Sequence, residues 1–145
     1  NNMQTAKNNA TIFFINPNAT VIAKRKIYTG SRKMNLGGQA MQFTSFLENR
    51  RLTVALTGEI DHHCAKEYIR AITAKLEAYT PKVCVLDFRE VGFMDSSGIA
   101  VVINSMRQMV KLEGKLLLTD LNPQPMKVLR ASGIDKIVDI KEVAV

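Results

Sequence analysis

The chain has no apolar run approaching the roughly 20 residues that span a bilayer, and Thr11 to Ile15 is too short and poorly flanked to be a signal peptide's apolar region. These absences predict a cytoplasmic protein with no membrane partner. Cysteine is scarce: Cys64 and Cys84 offer neither a disulfide framework nor a metal-ligand spacing, and are read as reduced core thiols. The two histidines, His62 and His63, are neighbours whose side chains are expected to diverge at a helix start. No carboxylate or thiol spacing completes a metal site around them, so no metal is expected and a capping or surface role is assigned. Neither Gly-x-x-x-x-Gly-Lys nor Gly-x-Gly-x-x-Gly occurs, so no cofactor is expected, and any bound nucleotide would arrive with a partner.

Acidic residues are missing from one end. Residues 1–42 carry Lys7, Lys24, Arg25, Lys26, Arg32 and Lys33 with no Asp or Glu, whereas the whole chain has a net charge of +7. Nearly all the excess charge therefore lies in this leader. The remainder is almost neutral and has no electrostatic case for direct nucleic-acid binding.

A length of 145 residues with 46% apolar content accommodates one ordinary domain and an appended segment. Composition changes near Gly37-Gly38, and the boundary is set at about 41. The leader, 1–41, is read as disordered or loosely docked and not necessarily native. Its apolar runs Thr11–Ile15 and Thr20–Ala23, divided by Asn16-Pro-Asn18, could form a hairpin, but a lone hairpin is marginal in water.

From residue 42 the pattern is regular. Gln42 to Leu47, a turn at Glu48-Asn-Arg50, and Arg51 to Ile60 with Leu52, Val54 and Leu56 alternating predict a β-hairpin. A helix is predicted over 63–79, with Ala65, Ile69, Ile72 and Leu76 on one stripe, ending before Pro81. A strand at Val83–Leu86, a second helix with a stripe of Ile99, Val102, Ile103, Met106 and Val110 closed by Gly114, and a strand at Leu116–Leu118 follow. A short helix opened by Pro123 and Pro125 and ended by Gly133 precedes a final strand at Ile137–Ile140. The order ββαβαβαβ describes an α/β domain, a mixed sheet of about four to five strands with three to four helices packed on it.

The segment Val83 to Gly98 runs a buried strand through a short loop and delivers Ser96 and Ser97 to a helix start. Helix starts carry unpaired N–H groups and partial positive charge, so they favour serine caps and attract anions. An esterase elbow is not supported, because Met94 stands two residues before Ser96 and no histidine follows it. A serine hydrolase thus survives only formally. Taken alone, Asp95-Ser-Ser-Gly98 is a helix cap.

A second motif alters that reading. Leu56-Thr-Gly-Glu-Ile-Asp-His-His63 followed by Phe93-Met-Asp-Ser-Ser-Gly-Ile-Ala-Val-Val102 resembles the anti-sigma-factor antagonists of the STAS domain superfamily, in particular the sporulation group directed at the anti-sigma F factor. Ala131-Ser-Gly-Ile-Asp-Lys-Ile137 also fits the family, and the resemblance covers residues 42 to about 142. It implies a STAS-like fold over 42–145 and a non-enzymatic switch. The unphosphorylated antagonist binds an anti-sigma factor serine kinase, with its bound ATP or ADP, and frees a sigma factor. Phosphorylation ends the interaction and a serine phosphatase reverses it.

By the same resemblance the phosphate goes on Ser96, directly after the motif's Asp95, with Ser97 as second choice and as the expected helix cap. Gly58, Glu59, Asp61, Asp95, Ser96, Ser97 and Gly98 form the implied partner surface, and Asp61 is expected to pair with an arginine of the kinase or to cap its own helix. Two departures stand out: the leader, and Ile99-Ala100 in place of the family's usual Leu-Gly. The competing reading is a STAS regulatory or scaffold module of a larger stress-signalling or transporter-linked assembly.

Overall fold

The structure is a computed structural model that describes the backbone of residues 27–36 and 39–141, with side chains from residue 43 onward. The apolar runs of the leader at 11–15 and 20–23 lie outside the described residues. Six strands form one sheet in chain order: β1 (Ile27–Leu36), β2 (Gln39–Glu48), β3 (Arg51–Thr57), β4 (Val83–Glu90), β5 (Lys115–Thr119) and β6 (Asp139–Lys141). The helices are α1 (His62–Tyr79), α2 (Ser97–Lys111) and α3 (Pro123–Ser132), the last followed by a 3₁₀ turn at Ile134–Lys136. From β2 onward this is the expected ββαβαβαβ. Strand β1 is additional, and falls within the stretch read as leader.

The first three strands are antiparallel and β3 through β6 are parallel. Glu48 pairs with Arg51, leaving a two-residue turn in which Asn49 and Arg50 both have positive φ, 49° and 64°. That geometry matches the twist of the flanking strands. Each parallel connection steps one strand in the same direction, so right-handed crossovers lay the helices over one face. Burial agrees: Leu52, Val54 and Leu56 of β3, Cys84, Leu86 and Phe88 of β4, and Leu116 and Leu118 of β5 join Tyr68, Ile72 and Leu76 of α1 and Val102 and Met109 of α2 in one core.

Helix α1 ends as its sequence requires. Thr80 takes the left-handed conformation at φ 39°, its N–H donating to the Leu76 carbonyl, and Pro81 then prevents continuation. Helix α3 ends on Gly133, also left-handed at φ 82°. Both cysteines are buried free thiols, and desolvation pushes the Cys84 thiol up to about 12, which keeps it protonated and unreactive.

Three expectations need correction. The buried stripe of α2 is Gly98, Val101, Val102, Ser105 and Met109, while Val110 is 67% exposed. The helix is turned by about one position relative to the hydrophobic pattern, roughly 100°. Serine looks like a surface residue, but the Ser105 hydroxyl donates to the Val101 carbonyl at 2.8 Å and so can be buried without loss. The last strand begins at Asp139, since Ile137 is 61% exposed and ends the 3₁₀ turn. Strand β3 stops at Thr57 rather than Ile60 because Gly58 turns the chain at φ 98°.

Candidate functional site

Two loops leave the C-terminal ends of neighbouring parallel strands, where α/β sheets commonly place their sites. They are joined to each other by main-chain hydrogen bonds. Gly58 N–H donates to the Glu90 carbonyl at 3.1 Å, Ile60 N–H to the Phe93 carbonyl at 3.0 Å, and Asp95 N–H to the Ile60 carbonyl at 3.1 Å. Ile60 and Met94 form a parallel bridge, and both side chains are fully buried. The segments Gly58–Asp61 and Asp95–Gly98, distant in the chain, thus form one surface.

Within it the roles of the serines differ from a simple cap. Helix α2 begins at Ser97, yet neither serine hydroxyl bonds the helix end. The Asp95 carboxylate does so instead, accepting from Ser97 N–H at 2.7 Å, which corrects the reading of Ser97 as the cap. Ser96 is exposed and Ser97 half-buried. Gly98 lies against Met94, where a Cβ would come within 2.6 Å of Sδ, so the glycine lets the helix start settle directly on the loop's buried anchor.

Asp61 caps α1. Its Oδ1 accepts from His63 N–H at 2.9 Å and Cys64 N–H at 3.2 Å. Desolvation acts to raise its pKa, but the bonds from Cys64 and His63 together outweigh it and hold the carboxyl below the usual 3.8. Cap stability is therefore present above 3.8 and is lost as pH falls through the lower folded-state value. Asp61→Ala should cost about 1 kcal/mol at neutral pH, whereas Asp61→Asn should keep the cap and lose its acid dependence. Urea midpoints at pH 7 and pH 3 check both; a normal acid slope in Asp61→Asn would show that the carboxylate is not responsible.

The histidines do not diverge as expected. The rings of His62 and His63 are exposed and lie 3.9 Å apart, tilted by 39°. Among the described residues no group of His, Cys, Asp or Glu is arranged to hold a metal ion.

A third segment, Asn122 and the first turn of α3, not singled out from the sequence, supports the two loops. The Asn122 side-chain amide donates to the Arg89 carbonyl at 3.1 Å and the Val91 carbonyl at 2.8 Å. Gln124 brackets Met94: its Oε1 accepts from Met94 N–H at 2.8 Å and its Nε2 donates to the Met94 carbonyl at 3.0 Å. No local signal marks such residues, since their partners lie some 30 positions away. Gln124→Ala would leave both backbone groups of Met94 without partners, at about 1–3 kcal/mol. Faster amide exchange at Met94, measured by hydrogen exchange, is the expected outcome, and unchanged protection would remove Gln124 from this role.

The STAS domain profile matches residues 45–144. The chain belongs to the STAS domain family. This STAS domain is 30% identical over 83 residues to the anti-sigma F factor antagonist of Lysinibacillus sphaericus, covering 57% of this chain and 71% of that one. Against the corresponding protein of Paenibacillus polymyxa it is 30% identical over 89 residues, covering 61% and 76%. Among solved structures, it matches the anti-sigma factor antagonist SpoIIAA in its unphosphorylated form with a TM-score of 0.62 at 24% identity, over 70% of this chain and 88% of that one. The phosphorylated form of Bacillus SpoIIAA matches at 0.57 and 24%, over 70% and 91%. At this identity the structural likeness concerns the fold, an α/β STAS fold with a mixed sheet. No helix among the described residues is long and apolar enough to cross a membrane.

Proposed function

We propose that this STAS domain is a cytoplasmic anti-sigma factor antagonist, switched by phosphorylation. Unphosphorylated, it binds an anti-sigma factor serine kinase carrying ATP or ADP and so releases the sigma factor. Transfer of the γ-phosphoryl group to Ser96 Oγ, with loss of the hydroxyl proton and departure of ADP, ends the interaction. A serine phosphatase hydrolyses the ester and resets the switch.

The observation that supports this reading is the Ser96 side chain: exposed and without any cap bond, on a loop hydrogen-bonded to Gly58–Asp61. A hydroxyl with no structural duty can be esterified without unfolding the domain. Ser97, half-buried, is the poorer acceptor. Glu59, Asp61 and Asp95 supply charge to the docking face, while Gly58 and Gly98 shape its two loops. Incubation with the purified anti-sigma factor kinase of the same organism and ATP, followed by mass mapping, should place one phosphate on Ser96. Transfer to Ser97, or none, would overturn the assignment.

Asp61 is proposed to pair with an arginine of the kinase while also capping α1. Asp61→Asn separates the two duties, since asparagine caps as well as aspartate but carries no charge. Binding to the kinase should weaken tenfold or more, on the order expected for a close interfacial charge pair, with the thermal midpoint unchanged. An unaltered dissociation constant by calorimetry would leave Asp61 as a cap alone.

A further inference from the structure

Four large apolar side chains are exposed among the described residues: Tyr79, Phe93, Val110 and Ile137. Phe93 alone lies in the serine loop, three positions before Ser96, and it is 41% exposed. Its neighbours show why the fold does not bury it. Val91 and Met94, both fully buried, anchor the loop to the core, and the residue between Met94 and exposed Gly92 is carried to the outside.

The backbone under this ring is held from its carbonyl onward. The Phe93 carbonyl accepts from Ile60 N–H, and the next residue, Met94, is bracketed by Gln124. An aromatic ring presented from a fixed backbone has little ordering entropy left to lose on binding. Rings of this kind, set in polar surroundings, are the usual anchors of protein interfaces.

Charge on the two joined segments has one sign. Gly58–Ala65 and Glu90–Met106, bounded by Lys66, Arg89 and Arg107, contain Glu59, Asp61, Glu90 and Asp95 with no lysine or arginine. The nearest cation in sequence, Arg89, is engaged with Asp120 at 3.2 Å. A partner matched to this face therefore needs basic side chains around an apolar recess.

Resting on the proposed function, we infer that Phe93 is the apolar anchor of the docking face, filling a recess rimmed by basic side chains beside the kinase's phosphoryl-transfer site. Insertion of the ring brings Ser96, on the same clamped loop, to the γ-phosphate. The residue acts in binding rather than in chemistry.

The test is calorimetric titration of the unphosphorylated full chain against the kinase with ADP, together with Ser96 phosphorylation kinetics in ATP. Phe93→Ala should weaken binding by about 30-fold, as hot-spot truncations do, and raise KM for the antagonist at little cost in kcat. Phe93→Leu, which keeps apolar bulk, should recover most of the affinity, and Val110→Ala should match the wild type. Because Phe93 is 41% exposed, circular dichroism should show a folded protein with at most a small drop in thermal midpoint in Phe93→Ala, too small to unfold it at the titration temperature. If Phe93→Ala binds within twofold of the wild type while Ser96→Asp is impaired, the inference fails and the proposed switch stands. If the wild type neither binds nor accepts phosphate, the switch fails and the inference with it.

Discussion

Ser96→Asp is expected to weaken binding to the anti-sigma factor kinase about 100-fold, with phosphorylation of Ser96 at least as damaging. Like charges brought together across an interface cost several kcal/mol, and each 1.4 kcal/mol is about tenfold in affinity. The substitution adds a carboxylate beside Asp95 on a face that already carries Glu59 and Asp61. A phosphate adds roughly −1.5 to −2 charge there, which in the proposed complex would face the phosphates of the proposed kinase's nucleotide. The domain itself has no reason to suffer. Ser96 is exposed, makes no cap bond, and sits where α2 begins, a position that favours negative charge by about 0.3–1 kcal/mol. A thermal midpoint equal to or slightly above the wild type, with affinity collapsed, is the expected pair of results. Equal dissociation constants for the two proteins would sink the electrostatic account.

Gly114→Ala should cost about 3 kcal/mol, the upper part of the range for forcing atoms into a packed site. A Cβ at this position would stand 2.5 Å from the Lys82 carbonyl oxygen and 2.6 Å from Met109 Cε. The Met109 methyl, at the end of a flexible side chain, can give way more readily than the Lys82 carbonyl, which is the rigid obstacle. Met109 is buried in the core, and the Lys82 carbonyl accepts from Lys115 N–H at 3.0 Å where β4 and β5 begin to pair. Relief requires these strands to part at one end. Gly92→Ala is the comparison, since nothing lies within 4 Å of a Cβ there and its effect should stay within about 0.5 kcal/mol. Urea unfolding of the two variants should show a lower midpoint for Gly114→Ala alone at unchanged slope; matching midpoints would refute the close-approach argument.

Gly114 also shows how far local reading extends. Taken as the residue that stops α2, it is close to the stop, but Glu113 adopts the left-handed conformation at φ 58°, and the glycine is needed for the approach of Lys82. The turn at Asn49-Arg50, the end of α1 before Pro81 and the cap at Gly133 were legible because each depends on residues within a few positions. The inward face of β3 was legible for the same reason: alternation of Leu52, Val54 and Leu56 along the strand is a local property.

The adjacency of Gly58–Asp61 and Asp95–Gly98 was implied only through the family resemblance, and the hydrogen bonds that create it link residues more than 30 positions apart. The same holds for Asn122 and Gln124, whose side chains bond main-chain groups of β4 and the serine loop. Polar side chains that satisfy distant backbone carry no periodicity or motif of their own. The rotation of α2 was missed because a pattern of apolar residues admits neighbouring faces about 100° apart. Packing chose the one that buries Gly98 and Ser105.

By itself, the sequence determined the order of strands and helices from β2 onward, the turn at Asn49-Arg50, the helix ends before Pro81 and at Gly133, and the motif that presents Ser96, because these follow from periodicity and local backbone preference. Tertiary structure decided which face of α2 is buried, that Asp95 rather than a serine caps it, and that two loops and the start of α3 are locked into a single surface with Phe93 and Ser96 exposed on it. Those outcomes depend on contacts closed across the sheet, where steric fit and backbone hydrogen-bond satisfaction act between residues that the chain keeps far apart.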